Sequence, residues 1–107
     1  MAQFDVHANT GQSRADIPYV VVIQSRRFDA ARTRLVVALR AAPRGKVPDA
    51  ALTPRFRIEG KYVLLDPLQI VAIQRSSLGR LVTSLSDDVS SSAVINAIDA
   101  VITRAYG

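Results

Sequence analysis

Seven short runs of strand-forming residues, separated by Gly, Pro, Asn and Ser, occupy this sequence from its start to residue 85, and only the stretch beyond residue 85 carries a helical period. Gln3 to Ala8 alternates, with Phe4 and Val6 on one face and Gln3, Asp5 and His7 on the other, the period of a half-buried strand. Tyr19 to Ile23 and Leu35 to Leu39 are continuous apolar runs rich in β-branched residues, which predicts strands buried on both faces. Arg55 to Glu59 alternates with Phe56 and Ile58 inward, and Glu59-Gly60 supplies the turn into Tyr62 to Leu65, so the pair reads as a hairpin. Asp66-Pro67 then ends that strand, and Ile70 to Ile73 and Arg80 to Leu85 add two more. Recurring short strands of this kind fold as a sandwich or a small barrel.

The connections are equally legible. Asn9 to Pro18 has the composition of an exposed turn or arm. Arg26 to Arg34 is a polar, arginine-rich turn whose one large apolar residue is Phe28. Ala41 to Pro54 holds Pro43, Pro48, Pro54 and Gly45, too many breakers for a sheet ladder, and is expected to be a loop with one helical turn around Asp49 to Leu52. At the end, Ser86-Asp87-Asp88 offers a helix cap and two carboxylates for the positive end of the dipole. Val94, Ile98, Val101 and Ala105 recur at helical spacing, widened by Ile95 and Ile102, while Asn96, Asp99 and Thr103 fall opposite. That apolar arc spans about half the cylinder, more than one sheet covers, so part of it is expected to meet a second subunit.

With 107 residues there is room for one core, so residues 1–107 are read as a single domain. A chain 49% apolar and 21% charged is expected to be a soluble globule. The apolar run Ile17 to Ile23 is far below the roughly 20 residues of a bilayer span, and MAQFDVHANT has no signal-peptide pattern, so a cytoplasmic protein without membrane contact is expected. The absence of cysteine removes disulfides, zinc–thiolate sites and thiol nucleophiles. A small domain without such staples gains by hiding more apolar surface against a copy of itself, and a homodimer is expected.

Fourteen Lys and Arg against nine Asp and Glu give a net charge of +5, and twelve of the fourteen cations are arginine. Between Arg26 and Arg57 stand nine cations and only Asp29 and Asp49 as anions. Such a stretch reads either as a basic face for nucleic acid or an acidic peptide, or as a solvated rim; both remain open. Catalytic constellations are lacking. His7, the only histidine, reads as a strand residue facing solvent, and helix capping accounts for Asp87 and Asp88. No GxxxxGK, GxGxxG or HExxH occurs, so no catalytic residue, cofactor or metal is expected.

QFDVHAN, YVVVIQS followed by RLVVALRAA, TPRFRIEGKYVLLDPLQIVAIQRSSLGRLVTSL and LSDDVSSSAVINAIDAVIT together resemble, in order and spacing, the CcdB family of bacterial toxins over Gln3 to Thr103. The resemblance implies a mainly β (α+β) fold, an SH3-like antiparallel barrel or sheet with a carboxy-terminal helix, shared by CcdB and MazF toxins and assembled as a symmetric homodimer. It implies binding to the A subunit of DNA gyrase, trapping of its cleaved-DNA complex without catalysis by the toxin, and neutralisation by a cognate acidic antitoxin, with DNA reached only through the antitoxin complex. The family's gyrase-binding positions fall here on Arg27 and Phe28 in the turn after the Q-S strand, on Asp99 and Ile102 of the helix, and on the tail Thr103, Arg104, Ala105, Tyr106 and Gly107. Core packing is the simplest role for Ile102, and a solvated helix face serves equally for Asp99.

Two departures stand out. Arg104 and Ala105 occupy the places of the family's terminal Gly-Ile, with Tyr106-Gly107 beyond them, and Arg27 replaces an apolar turn residue. They leave room for a member that binds antitoxin and regulates its own operon without poisoning gyrase. A MazF-type ribonuclease shares the barrel, but that group's amino-terminal G-D-I and proline-arginine signatures do not occur.

Overall fold

The computed structural model describes residues 2–42 and 50–104. Six strands alternate with short connections before one helix: β1 Asp5–Ala8, β2 Tyr19–Val22, β3 Thr33–Ala41, β4 Arg55–Ile58, β5 Lys61–Gln74, β6 Leu81–Ser84 and α1 Asp88–Ile102. Short 3₁₀ turns at Arg26–Phe28 and Arg75–Ser77 follow β2 and β5. All pairings are antiparallel, in the order β4-β5-β3-β2-β1-β6, and the sheet curls into a nearly closed barrel. Glu59, in the β4–β5 turn, accepts from the Tyr19 hydroxyl at 2.7 Å and from Arg80 at 3.1 Å, tying the turn beside edge strand β4 to the segment that enters β6. Burial and then the Glu59 hydrogen bond raise the Tyr19 pKa, while the Arg80 hydrogen bond holds the Glu59 carboxyl below its ordinary value.

The core lies inside this curl. Val6, Tyr19, Val21, Val37, Leu39, Ile58, Val63 and Leu65 face inward and are closed off by Leu85 and by Val94 and Ala97 of α1. The β4–β5 hairpin is as expected: Glu59 (φ 52°) and Gly60 (φ 77°) form the paired left-handed turn that matches strand twist.

β5 corrects the expectation that Asp66-Pro67 ends a strand. One fourteen-residue strand runs through, and the ladder with β3 jumps from Val37↔Ile70 to Ala38↔Asp66. Pro67, Leu68 and Gln69 thus form a bulge where no ladder donor is needed, the position in which a sheet tolerates proline. Asp66 Oδ1 holds the bulge by accepting the Leu68 N–H at 3.1 Å. β1 begins at Asp5, because Phe4 (φ 70°) leaves the ladder while still bonding Val22 and Leu85 through its backbone. Ala50 to Leu52 form a turn, and Asp49 of the expected helical turn lies outside the described residues.

His7 is a further correction, being 4% exposed with Nδ1 3.0 Å from the Gly79 carbonyl. The outer face of β1, β2 and β3 does not meet solvent there, because the 9–18 arm and the 75–79 segment fold over it. Asn9, Ser13, Ile17, Ser77 and Leu78 roof Val20, Val36 and Ala38 around a cavity of about 190 Å³. Arg40 pins the arm in place, bridging Asp16 at 2.6 Å and Asp66 at 2.8 Å. No described helix is long and apolar enough to cross a membrane.

Candidate functional site

The β2–β3 connection is a built loop that presents an aromatic ring. Ser25 starts it: its hydroxyl accepts the Arg27 N–H at 3.2 Å and its carbonyl accepts the Phe28 N–H at 3.0 Å. Gln24 spans the loop mouth, donating to the carbonyls of Phe28 and Thr33 and accepting the Leu35 N–H at 2.8 Å. Arg34 sits beneath, donating to the carbonyls of Ala31 (2.8 Å), Thr33 (2.9 Å) and Asp29 (3.1 Å). Arg27 is exposed and Phe28 is 63% exposed at the crest, beside an apolar hollow of about 450 Å³ lined by Ile23, Ala31, Leu35 and Ala72. A rigidly held aromatic beside an apolar hollow, rimmed by arginine, is the chemistry of a protein contact.

Arg34 was expected in the exposed turn. The structure places it in β3 at 4% exposure, with Nε lacking a described partner. Its burial arises because the loop folds back over the strand, and no sequence pattern marks that. Gln24 had a weak signal: an amide closing a β-branched run, followed by Ser.

The second group lies at the end of α1. Asp87 caps the helix, with Oδ2 accepting the Ser90 N–H at 3.0 Å; that backbone hydrogen bond holds its carboxyl below the ordinary range. At the other end Thr103 leaves helical geometry while donating its N–H to the Asp99 carbonyl at 2.8 Å. Asp99 and Arg104 are exposed, and Thr103 is partly buried. Ile102 is 68% exposed, which corrects the core role: α1 buries Val94 and Ala97 against the sheet, with Ile98 packed beside them, and Ile102 lies off that line on the flank it shares with Ile95. Val101 and Ile95 are likewise exposed, so the apolar arc outruns the surface that the sheet covers. Ala105, Tyr106 and Gly107 lie outside the described residues.

Within one chain the structure does not merge the two groups. The hollow beside Phe28 and the shallow cleft at Asn96, Asp99, Ala100 and Thr103 share no lining residue. The basic stretch is also divided. Arg34 is internal and Arg40 is neutralised by two aspartates, while Arg26, Arg27 and Arg32 ring the Phe28 loop and Arg55 and Arg57 project from β4. Among the described residues, no three His, Cys, Asp or Glu side chains cluster as a metal site would require.

Residues 3–104 match the family described as CcdB protein. No curated protein matches by sequence. Among solved structures, the Mycobacterium tuberculosis toxin MazF-mt6 is similar at a TM-score of 0.69 and 13% identity, covering 90% of this chain and 93% of that one. An endoribonuclease from Mycobacterial species is similar at 0.67 and 11% identity over 94% of this chain and 88% of its own. A structure titled as an endoribonuclease in complex with its cognate antitoxin, also from Mycobacterial species, is similar at 0.65 and 13% identity over 94% and 92%. At these identities the likeness is one of fold.

Proposed function

The chain belongs to the CcdB family, and from that membership we propose that it is the toxin of a toxin–antitoxin pair, acting on DNA gyrase by binding rather than by catalysis. In this reading it works in the cytoplasm, engages the gyrase A subunit, stabilises the cleaved-DNA complex, and is neutralised by a cognate acidic antitoxin. Operator DNA is met only through the antitoxin complex. The observation that carries the reading is a family match over nearly the whole chain, together with exposure of Arg27, Phe28, Asp99, Ile102 and Arg104 among the family's contact positions. Phe28 crowns a braced loop, and Ile102 projects from the helix end with Asp99 beside it.

A homodimer fits the same surfaces. Leu35 and Val71, on the β3–β5 ribbon, leave apolar side chains exposed, as does the outer arc of α1. Equilibrium sedimentation would show a species of twice the chain mass.

The deciding experiment adds purified protein to gyrase, ATP and supercoiled plasmid and looks for linear DNA after denaturation. Linear product is expected from the full chain and not from a chain ending at Ile102. Equal cleavage by both would remove the tail from the site, and no cleavage by a folded full chain would overturn gyrase poisoning. One feature favours the non-toxic variant of this reading: Arg104 and Ala105 stand where the family's terminal Gly-Ile belongs. That variant binds antitoxin tightly and leaves gyrase untouched. Two of the fold neighbours are described as endoribonucleases, so single-stranded RNA is the companion substrate; its metal-independent cleavage would replace the binding mechanism with catalysis.

A further inference from the structure

Strand β4 is the edge of the sheet, paired only with β5. Its alternation turns Phe56 and Ile58 toward the core and Arg55 and Arg57 outward, where Tyr62 of β5 stands opposite Arg57. Both guanidiniums lie over that one ring, with Cζ 4.6 Å from its centroid for Arg55 and 5.7 Å for Arg57. Tyr62 is half exposed. Among the described residues no carboxylate pairs with Arg55 or Arg57; the neighbouring Glu59 is held by Arg80 and Tyr19. Arg40, on β3 beyond β5, shows the contrast, since two aspartates occupy it.

Stacking on a ring fixes the plane of a guanidinium but leaves its N–H edges open for a bidentate carboxylate. Two such edges on alternate residues of one strand repeat every second residue, the spacing of same-face side chains in an extended peptide. The backbone points the same way. In a two-residue hairpin the pair flanking the turn, here Ile58 and Lys61, is hydrogen-bonded, and bonded and non-bonded pairs then alternate. Arg57 and Arg55 fall on the non-bonded pairs, so their N–H and C=O groups point away from β5. A nucleic acid could answer the charge but not this ladder, and Arg55 already covers a face of the ring on which a base would stack.

We propose that the Arg55–Tyr62–Arg57 edge is a docking site for an extended acidic peptide segment, added as a strand beside β4 with carboxylates at alternate positions on Arg55 and Arg57. The identification of that segment with part of the antitoxin rests on the functional reading above, whereas the chemistry of the edge does not.

The test uses the full chain and a fluorescent nonapeptide of alternating Glu and Val. Binding by anisotropy is expected, weakening as salt rises. Three perturbations should each weaken it about tenfold or more: the double variant R55Q/R57Q, N-methylation of alternate peptide amides, and regrouping the same residues into a Glu block and a Val block. The Arg variants change exposed side chains and should retain the wild-type melting temperature; R55K/R57K, which keeps charge but loses the fork, should bind with intermediate affinity. No binding to wild-type protein, or equal binding by the double variant or the N-methylated peptide, would overturn the proposal. So would single-stranded RNA displacing the peptide with a loss of RNA affinity in the double variant, since that would make the edge a nucleic-acid site. The gyrase cleavage assay on R55Q/R57Q keeps the two readings apart: cleavage should be unchanged whether or not the peptide binds.

Discussion

Replacing Gly79 with alanine should destabilise the fold by more than any ordinary surface change, and the structure sets the size. A Cβ built there would lie 2.4 Å from the Ala8 carbonyl oxygen and 2.9 Å from Thr10 Cγ2, so β1 and the 79–80 segment would have to part by about 1 Å to reach ordinary contact. Two hydrogen bonds cross that gap: Ala8 N–H to the Arg80 carbonyl at 2.9 Å, and His7 Nδ1 to the Gly79 carbonyl at 3.0 Å. Stretched by that amount, neither survives, and each contributes about 1 kcal/mol. His7 Nε2 already lacks a described partner, so the buried ring would keep none, which adds about 1–2 kcal/mol for an unsatisfied polar group. The total is about 3–4 kcal/mol, a large share of the stability of a domain this size, and roughly 10–20 °C in melting temperature. Urea unfolding of Gly79→Ala should show a lower midpoint at unchanged slope. Gly60→Ala is the control: its Cβ meets open space, and only the φ of +77° penalises it, by about 1 kcal/mol. A Gly79→Ala protein within about 0.5 kcal/mol of wild type would refute the contact and with it the burial of His7 under the 75–79 segment.

Other outcomes rest on the same geometry. Phe28→Ala should leave the urea midpoint unchanged, because the ring is largely exposed, yet reduce gyrase affinity by about tenfold or more in a pull-down titration. Arg34→Met removes three carbonyl contacts from the loop, so hydrogen exchange of the 26–33 amides should quicken, and gyrase affinity should fall although Arg34 itself is buried. Asp87→Ala should lower the melting temperature at neutral pH, and its effect should vanish in acid. The folded-state pKa of Asp87 is depressed by the Ser90 N–H, so its contribution is present above the unfolded carboxylate value and is lost as pH falls through the folded one. Thermal melts of both proteins should draw together as pH falls from about 6 through the depressed folded-state pKa, and a constant gap would show the loss to be one of packing.

Much of this protein is written in local sequence. Period-2 alternation placed β1 and β4, β-branched runs placed β2 and β3, and Glu59-Gly60 fixed the hairpin turn, because side-chain period and turn chemistry are properties of a few neighbouring residues. Ser86-Asp87-Asp88 announced the helix start in the same way, and the structure makes Asp87 the cap. The turn holding Phe28 was visible as an aromatic with no other large apolar residue around it, and its exposure accords with that.

What local pattern cannot carry is the identity of whatever lies across a face. His7 alternates like a solvent residue, yet the 75–79 segment, distant in sequence, roofs it; Arg34 reads as one more surface cation, yet its own loop folds over it. Pro67 reads as a strand end, but the pairing of β3 with both halves of β5 turns it into a bulge. Ile102 fits the edge of a core stripe by period, while the packing of α1 on the sheet fully buries only Val94 and Ala97 and leaves the flank of Ile95 and Ile102 exposed. Periodicity states which side chains share a face, and only the tertiary fold determines what covers that face: sheet, loop, solvent or a partner.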